Sequence, residues 1–186
     1  VADLQGRTVS VSDGRKPASI YSQFTASGTP RKTTNSDGTY TIATLDADAR
    51  PTTEETYKAN NTLITTVPTT YHPSGQPAAN WGTNTTPTYR KYDIQGRLKE
   101  LRTYRSTNLA LNPATTTDAY DPTIWNYEPA TGLLLSKRYA DSKGPDYAYT
   151  SDGQLLTREW ARPGTGGLRL KATYDHTPSG QLYTPN

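Results

Sequence analysis

The chain contains no cysteine, no methionine, a single phenylalanine and only two histidines in 186 residues. Without cysteine there is no disulfide framework and no thiolate metal site, and the redox compartment is left open. His72 and His176 are far apart and both fall among turn-forming residues. A histidine-assisted nucleophile or a clustered metal site therefore has little material, and no cofactor or metal is expected. No stretch approaches the roughly 18 consecutive apolar residues of a membrane-spanning helix. Convincing amphipathic helices are missing as well: 14 prolines are scattered through the chain, and alanine never clusters with Leu, Glu and Lys at helical spacing. The net charge of +3 is too mild to demand a nucleic-acid partner. Val1 starts neither as an initiator methionine nor as a leader, so a processed product or a piece of a longer protein is expected.

What the chain does hold is tyrosine. There are 14 Tyr and 3 Trp in a sequence that is 32% hydrophobic with a mean hydropathy of -0.84. So polar a composition suggests disorder, but disordered chains are poor in aromatics. Tyr and Trp suit a half-exposed sheet, where the ring packs and the polar tip stays at water. The expectation is an all-β body with a thin apolar layer.

A degenerate unit recurs in the second half: an aromatic residue, a short polar turn, glycine, then leucine. It reads Tyr92-Asp93-Ile94-Gln95-Gly96-Arg97-Leu98, then Tyr127 to Gly132 and Leu134, then Tyr149 to Gly153 and Leu155, and last Tyr174 to Gly180 and Leu182. A worn copy runs from Tyr71 to Gln76. The glycines Gly75, Gly96, Gly132, Gly153 and Gly180 are 21, 36, 21 and 27 residues apart. About 20 residues accommodates two strands and their turns. The longer gap then reads as an insertion over residues 106–121, with residues 108–117 looped out. Trp125 and Tyr127, and Tyr147 and Tyr149, are two apart and share a strand face. The glycine suits a hairpin position of positive φ. Residues 97–105, the best helical stretch, read better as a strand in this context. Residues 1–68 read as degenerate copies (Asp3 to Val9, Asn35 to Ile42, Leu45 to Pro51) of the same array, so 1–186 is taken as one array whose clearer repeats occupy 69–186. Such repeats bury their apolar faces only by stacking on neighbours.

The heptad Tyr92-Asp93-Ile94-Gln95-Gly96-Arg97-Leu98 resembles the Tyr-Asp-x-x-Gly-Arg-Leu signature of YD repeats, and residues 71–186 carry the resemblance. These repeats occur in bacterial Rhs proteins, wall-associated proteins, C components of insecticidal toxin complexes and animal teneurins. The other copies depart from it: Asp93 is matched by Glu128, Thr150 and Asp175, and Arg97 by Leu133, Gln154 and Gln181. The resemblance implies antiparallel hairpins in one long twisted sheet, part of a hollow β-shell or spiral. It also implies a secreted or cell-surface parent, which in toxin members encloses a cleaved C-terminal polypeptide. The repeat residues Tyr92, Gly96, Leu98, Tyr127, Gly132, Leu134, Tyr149, Gly153, Leu155, Tyr174, Gly180 and Leu182 would then be structural. The Pro-rich, Asp-containing autocleavage core of toxin members has no match, and Asp121-Pro122 lies inside the array.

Other chemistries are weighed on their residues. Asp46 and Asp48, with Asn35 and Asp37, lack the twelve-residue calcium-loop pattern, and turn chemistry explains them. Asp141, Asp146 and Glu159 could form a glycosidase pair only if two of them converge in space. The basic run Arg90, Lys91, Arg97, Lys99, Arg102 and Arg105, interleaved with Tyr89, Tyr92 and Tyr104, has the composition of a single-strand nucleic-acid groove, or of a solvated sheet face. Trp81, Trp125 and Trp160 are candidate glycan contacts, since planar rings pack on sugar faces. Asn60 and Asn84 stand in glycosylation sequons. The expected function is a non-enzymatic structural segment of a larger YD-repeat protein, serving encapsulation or scaffolding, with flanking repeats or other chains joined through sheet edges. A carbohydrate-binding or adhesin segment is the alternative, and a glycoside hydrolase-like enzyme a distant third.

Overall fold

The computed structural model describes residues 1–12, 14–15, 18–106, 111–177 and 179–183, apart from the side chains of Thr165 and Tyr183. Residues 107–110 of the expected insertion, and Pro178 of the last repeat, lie outside the described residues. The strands are β1 (Ser10–Val11), β2 (Ser19–Phe24), β3 (Pro30–Thr34), β4 (Tyr40–Leu45), β5 (Pro51–Tyr57), β6 (Leu63–Tyr71), β7 (Pro77–Asn80) and β8 (Thr88–Tyr92). They continue as β9 (Leu98–Tyr104), β10 (Tyr120–Tyr127), β11 (Leu134–Arg138), β12 (Asp146–Tyr149), β13 (Leu155–Pro163), β14 (Arg169–Thr173), β15 (Asp175–His176) and β16 (Leu182–Tyr183). One 3-10 turn, Thr165–Gly167, is the only helical element among the described residues. From β1 to β14 the strands hydrogen-bond in chain order, and β15 and β16 pair separately. Neighbours run antiparallel, as tight connections require.

The chain divides into two compact units. The first comprises Val1–Tyr89 and Tyr104–Asp118, and the second Arg90–Thr103 and Ala119–Asn186.

In the first unit, turns at residues 3–7, 25–29, 35–39, 46–50, 58–62 and 72–76 share one hydrogen-bond scheme. The amide of the first residue donates to the carbonyl of the fifth, and the amide of the fourth donates back to the first. That scheme puts the fourth residue in the left-handed region, where a side chain is strained. Glycine fills it at Gly28 and Gly75, with φ of 86° and 85°, whereas Ala49 and Asn61 stand there at 60° and 63°. Beside several turns the register slips by one residue, as between Thr44 and Leu45 and between Thr70 and Tyr71. Each slip is a bulge that increases local twist. Ala49 carries a cost that glycine would relieve. Ala49→Gly should raise stability by about 0.5–1 kcal/mol, read as a higher denaturation midpoint; an unchanged or lower midpoint would contradict the left-handed assignment.

Full burial is rare. Among the described residues the buried hydrophobic side chains are Ala78, Ala79, Tyr104 and Leu111, all in the first unit. This is the thin apolar layer the composition implies. The expected insertion is more than looped-out chain. Residues 111–119 form no strand, yet Leu111 and Pro113 are buried, and the Tyr104 hydroxyl donates to the Pro113 carbonyl at 3.1 Å. β10 starts at Tyr120, so Tyr120 and Asp121 belong to the strand and not to the insertion.

In the second unit the same turn recurs at residues 93–97, 139–143, 150–154, 164–168 and 177–181, and one residue longer at 128–133. Gly96, Gly132, Gly153 and Gly180 have φ of 80°, 76°, 85° and 82°. Leu98, Leu134, Leu155 and Leu182 each begin a strand, and Tyr92, Tyr127 and Tyr149 each end one. The last copy is offset. Its turn begins at Thr177, so His176 takes the position that Tyr92, Tyr127 and Tyr149 hold, and Tyr174 lies two residues earlier.

Candidate functional site

The repeat residues act on the neighbouring repeat more than on their own. In the second unit the Asp93 carboxylate accepts the amides of Gln95 and Arg97 through Oδ1, at 3.0 and 2.9 Å. Its Oδ2 takes Arg97 Nε at 2.6 Å, which locks the turn shut. The guanidinium so held lies over the ring of Tyr127, 4.4 Å from the centroid, in the next hairpin. The Tyr127 hydroxyl in turn donates to the carbonyl of Leu98 at 3.0 Å. Tyrosine, aspartate, arginine and leucine of the heptad are thus tied together across two hairpins.

The first unit holds two further copies of this lock. Asp46 binds Arg50 and Asp3 binds Arg7 through the same atoms. Arg50 lies 4.7 Å from the Tyr71 centroid and Arg7 lies 4.5 Å from that of Phe24. The Tyr71 hydroxyl donates to Pro51, the first residue of β5, at 2.8 Å. Phe24 lacks that hydroxyl. The sequence unit at Asp3 has no aromatic upstream because its ring, Phe24, lies downstream. The arginine hydrogen bonds hold the carboxyls of Asp3 and Asp46 below the ordinary aspartate value. At Asp93 burial pushes the carboxyl up, but the Arg97 amide and guanidinium outweigh it, and the net shift is downward.

In several turns the residue after the left-handed position also reaches the glycine of a later turn. A Cβ built on Gly28 would lie 3.6 Å from Arg7 Cδ, and one on Gly75 would lie 3.6 Å from Arg50 Nη1. In the second unit, a Cβ on Gly132 would meet Arg97 Nη1 at 2.7 Å, and one on Gly180 would meet Gln154 Nε2 at 2.9 Å. Glycine is thus selected for its positive φ and for the room it leaves the preceding turn.

The two faces of the second unit differ in chemistry. Trp125 stands opposite Lys137, and Tyr147 opposite Arg158. Ser136 pairs with Asp146, so strand alternation puts Lys137 and Tyr147 together on the other side. On that ring-bearing face Lys137 Nζ lies 5.1 Å from the Trp125 ring and 4.9 Å from Tyr139. Arg158 lies 4.9 Å from Trp160 and 5.8 Å from Tyr147. The opposite face carries the charged row Asp146, Glu159 and Lys171. Asp146 is ion-paired with Arg138 and Arg169, and Glu159 lies 3.7 Å from Arg169 and 3.5 Å from Lys171. Burial raises the Asp146 carboxyl, the two arginines lower it further, and it stays below the ordinary value.

These positions place the sequence candidates. Asp146 and Glu159 do converge, directly across β12 and β13, but cations occupy both. Asp141 sits apart on an exposed turn beside Lys143. His72 opens a turn, with its ring 5.9 Å from Tyr89, and His176 lies in β15. Asp37 is held by the Thr39 hydroxyl and amide. Among the described residues no three His, Asp or Glu side chains gather to hold a metal ion. In the basic run, Lys91 and Arg102 both meet Glu100, and Arg97 meets Asp93. Trp81 follows β7 in the first unit and is half-buried. Trp125 helps line a shallow groove of about 270 Å³ with Asp93, Arg97, Lys99 and Pro129. No helix of the described residues is long and apolar enough to cross a membrane. The Asp–Arg–ring locks and the Arg169 cluster were not singled out from sequence; the recurrence of Asp-x-x-x-Arg at residues 3, 46 and 93 was the available signal for the locks.

No protein-family model and no curated protein matches the chain by sequence. Solved structures match it by fold. The crystal structure of TcdB2-TccC3 superposes with a TM-score of 0.72 at 17% identity, over 97% of this chain and 11% of that one. TcdB2-TccC3-Cdc42 gives 0.68 at 18% identity, over 89% and 9%. The Photorhabdus luminescens Tc holotoxin pore gives 0.67 at 18% identity, over 89% and 9%. This chain therefore spans about a tenth of those it matches, and its fold is that of a segment of the TcdB2-TccC3 toxin-complex chains.

Proposed function

We propose that the chain is a non-enzymatic wall segment of a larger YD-repeat protein of the Rhs type, secreted or displayed at a cell surface. Its work is to build part of a β-shell that encloses or scaffolds another polypeptide. The observation that carries this reading is the Asp–Arg–ring lock, in which the signature residues of one hairpin hold the next. Residues spent on joining repeats serve architecture. The fold likeness to toxin-complex chains supports the same reading, as does the engagement by cations of Asp146 and Glu159, the two candidate carboxylates that stand across from each other. The test is the intact mass and assembly state of the protein from its native source. This stretch is expected covalently inside a species much larger than 20.4 kDa, and a free chain of that mass would overturn the reading.

Carbohydrate binding is the second reading. It draws on Trp125 and Trp160 sharing one face, although Lys137 and Arg158 lie over the rings a sugar would need. A glycan array probed with the full chain and with W125A and W160A separates it: sugar binding lost in either variant supports a lectin-like role, and no binding removes it.

A further inference from the structure

The ring-bearing face of the second unit has a charge imbalance that the wall role does not use. Neither Lys137 nor Arg158 meets a carboxylate within ion-pair distance among the described residues, and Arg158 Nε is buried without a hydrogen-bond partner. Both cations are nested between rings, Lys137 between Trp125 and Tyr139, and Arg158 between Tyr147 and Trp160. A cation so placed has lost part of its hydration and attracts an anion more strongly than one in open water. Strand alternation puts no Asp or Glu on this face of β11 to β14; Asp146 and Glu159 point to the other side.

The same face exposes apolar side chains. Leu135 and Leu156 are the extra residues of register slips and, with Leu134 and Leu155, stand across from Tyr127 and Tyr149, each two residues from a ring of this face, while Leu170 is two from Ala172, which stands opposite Arg158. Leu135, Leu156 and Leu170 are 40%, 38% and 37% exposed, and Tyr139 is 45% exposed. Sugars would leave the leucines uncovered, and a nucleic-acid strand would cover them poorly. A polypeptide supplies both carboxylates and apolar side chains. We infer that this face binds an extended polypeptide segment rich in acidic and apolar residues, with carboxylates at Lys137 and Arg158 and apolar side chains against Leu135, Leu156 and Leu170. β11 and β13 are separated by one strand, so the cations stand about 10 Å or more apart, the reach of three to four extended residues. The inference does not depend on the wall reading, and different results overturn the two.

The test uses the full chain and a fluorescein-labelled peptide of about 15 residues, with glutamate at every third position and leucine and serine between. Anisotropy should show it binding at least about tenfold more tightly than three controls: the same peptide with lysine for glutamate, one with serine for leucine, and an oligothymidine of equal length. Heparin serves as a further polyanion and should compete weakly. The K137Q/R158Q double variant should lose binding at least about tenfold, while K171Q, on the opposite face, should change it less than about twofold. Equal binding of the lysine peptide, tighter binding of oligothymidine or heparin, or equal losses in K171Q and the double variant would each overturn the inference. Were the double variant to fail to fold, the unmodified chain still decides: raising ionic strength must weaken the glutamate peptide, and indifference to salt overturns the proposal.

Discussion

Gly144→Ala should cost the second unit about 3–5 kcal/mol, more than any other glycine substitution there. Gly144 is buried, and a Cβ on it would fall inside the carbonyl oxygen of Lys137, with the Arg138 backbone close behind. Both neighbours are main chain and cannot swing aside. Relief would require parting Ser136 from Asp146 and breaking the bond from the Lys137 amide to the Pro145 carbonyl. The Gly144 carbonyl also accepts Arg169 Nη2 at 2.8 Å, and that arginine donates to the carbonyls of Trp160 and Glu159 and pairs with Asp146. A shift of one atom therefore disturbs β12, β13 and β14 together. Denaturation followed by tryptophan fluorescence is the measurement. Gly166→Ala is the contrast, because Gly166 has a φ of 80° with nothing within 4 Å of its would-be Cβ, so only backbone strain of about 1 kcal/mol is expected. Equal losses in the two variants would remove the close approach at Gly144.

Tyr104→Ala should be the corresponding blow to the first unit, at about 3–5 kcal/mol. Tyr104 is 1% exposed in a molecule with few buried rings, so its removal empties a large share of the core. Its backbone amide donates to Pro87 at 3.0 Å and its hydroxyl to Pro113 at 3.1 Å. Tyr104→Phe isolates the hydroxyl and should cost about 1–2 kcal/mol, because the buried Pro113 carbonyl loses a donor. The pair of variants measures ring and hydroxyl separately by chemical denaturation. A mild alanine variant would mean that the stretch after β9 does not pack as described.

Which parts of this structure could be read from the chain depends on how local their causes are. The turn at Asp93 was legible because its geometry is set within five residues, by aspartate bonds to nearby amides and by Gly96. The turn at residues 46–50 reads as degraded and the one at 58–62 is not legible, because Ala49 and Asn61 stand where glycine is expected, though their hydrogen bonds match the others. The aromatic partners of the arginines were not legible for a different reason. Tyr71 serves Arg50, and Tyr127 serves Arg97, each from the following hairpin, so no window of one repeat contains the pair. The burial of Leu111 and Pro113 is tertiary and leaves no periodicity behind. Asp146, Glu159 and the three tryptophans were picked out by residue type, while their engagement depends on register: the pairing of Asp146 with Glu159, and of Trp125 with Lys137, decides what each side chain meets.

The turn-to-turn contacts have an evolutionary consequence. In an antiparallel meander, alternate turns fall on opposite margins of the sheet. The linked turns, at residues 3–7, 25–29, 46–50 and 72–76 in the first unit and at 93–97, 128–133 and 150–154 in the second, lie on one margin of their unit and are nearly uniform in length. The connections on the other margin range from five residues at 35–39 to the long stretch between β9 and β10. Lengthening a linked turn would move its glycine out from under the preceding arginine, glutamine or leucine, and on the opposite margin the same holds for Gly38, whose Cβ would meet Ala59 Cβ at 2.9 Å in the turn at 58–62. New sequence is therefore tolerated best in those connections that make no turn-to-turn contact, and that is where lineages of this fold are freest to diverge.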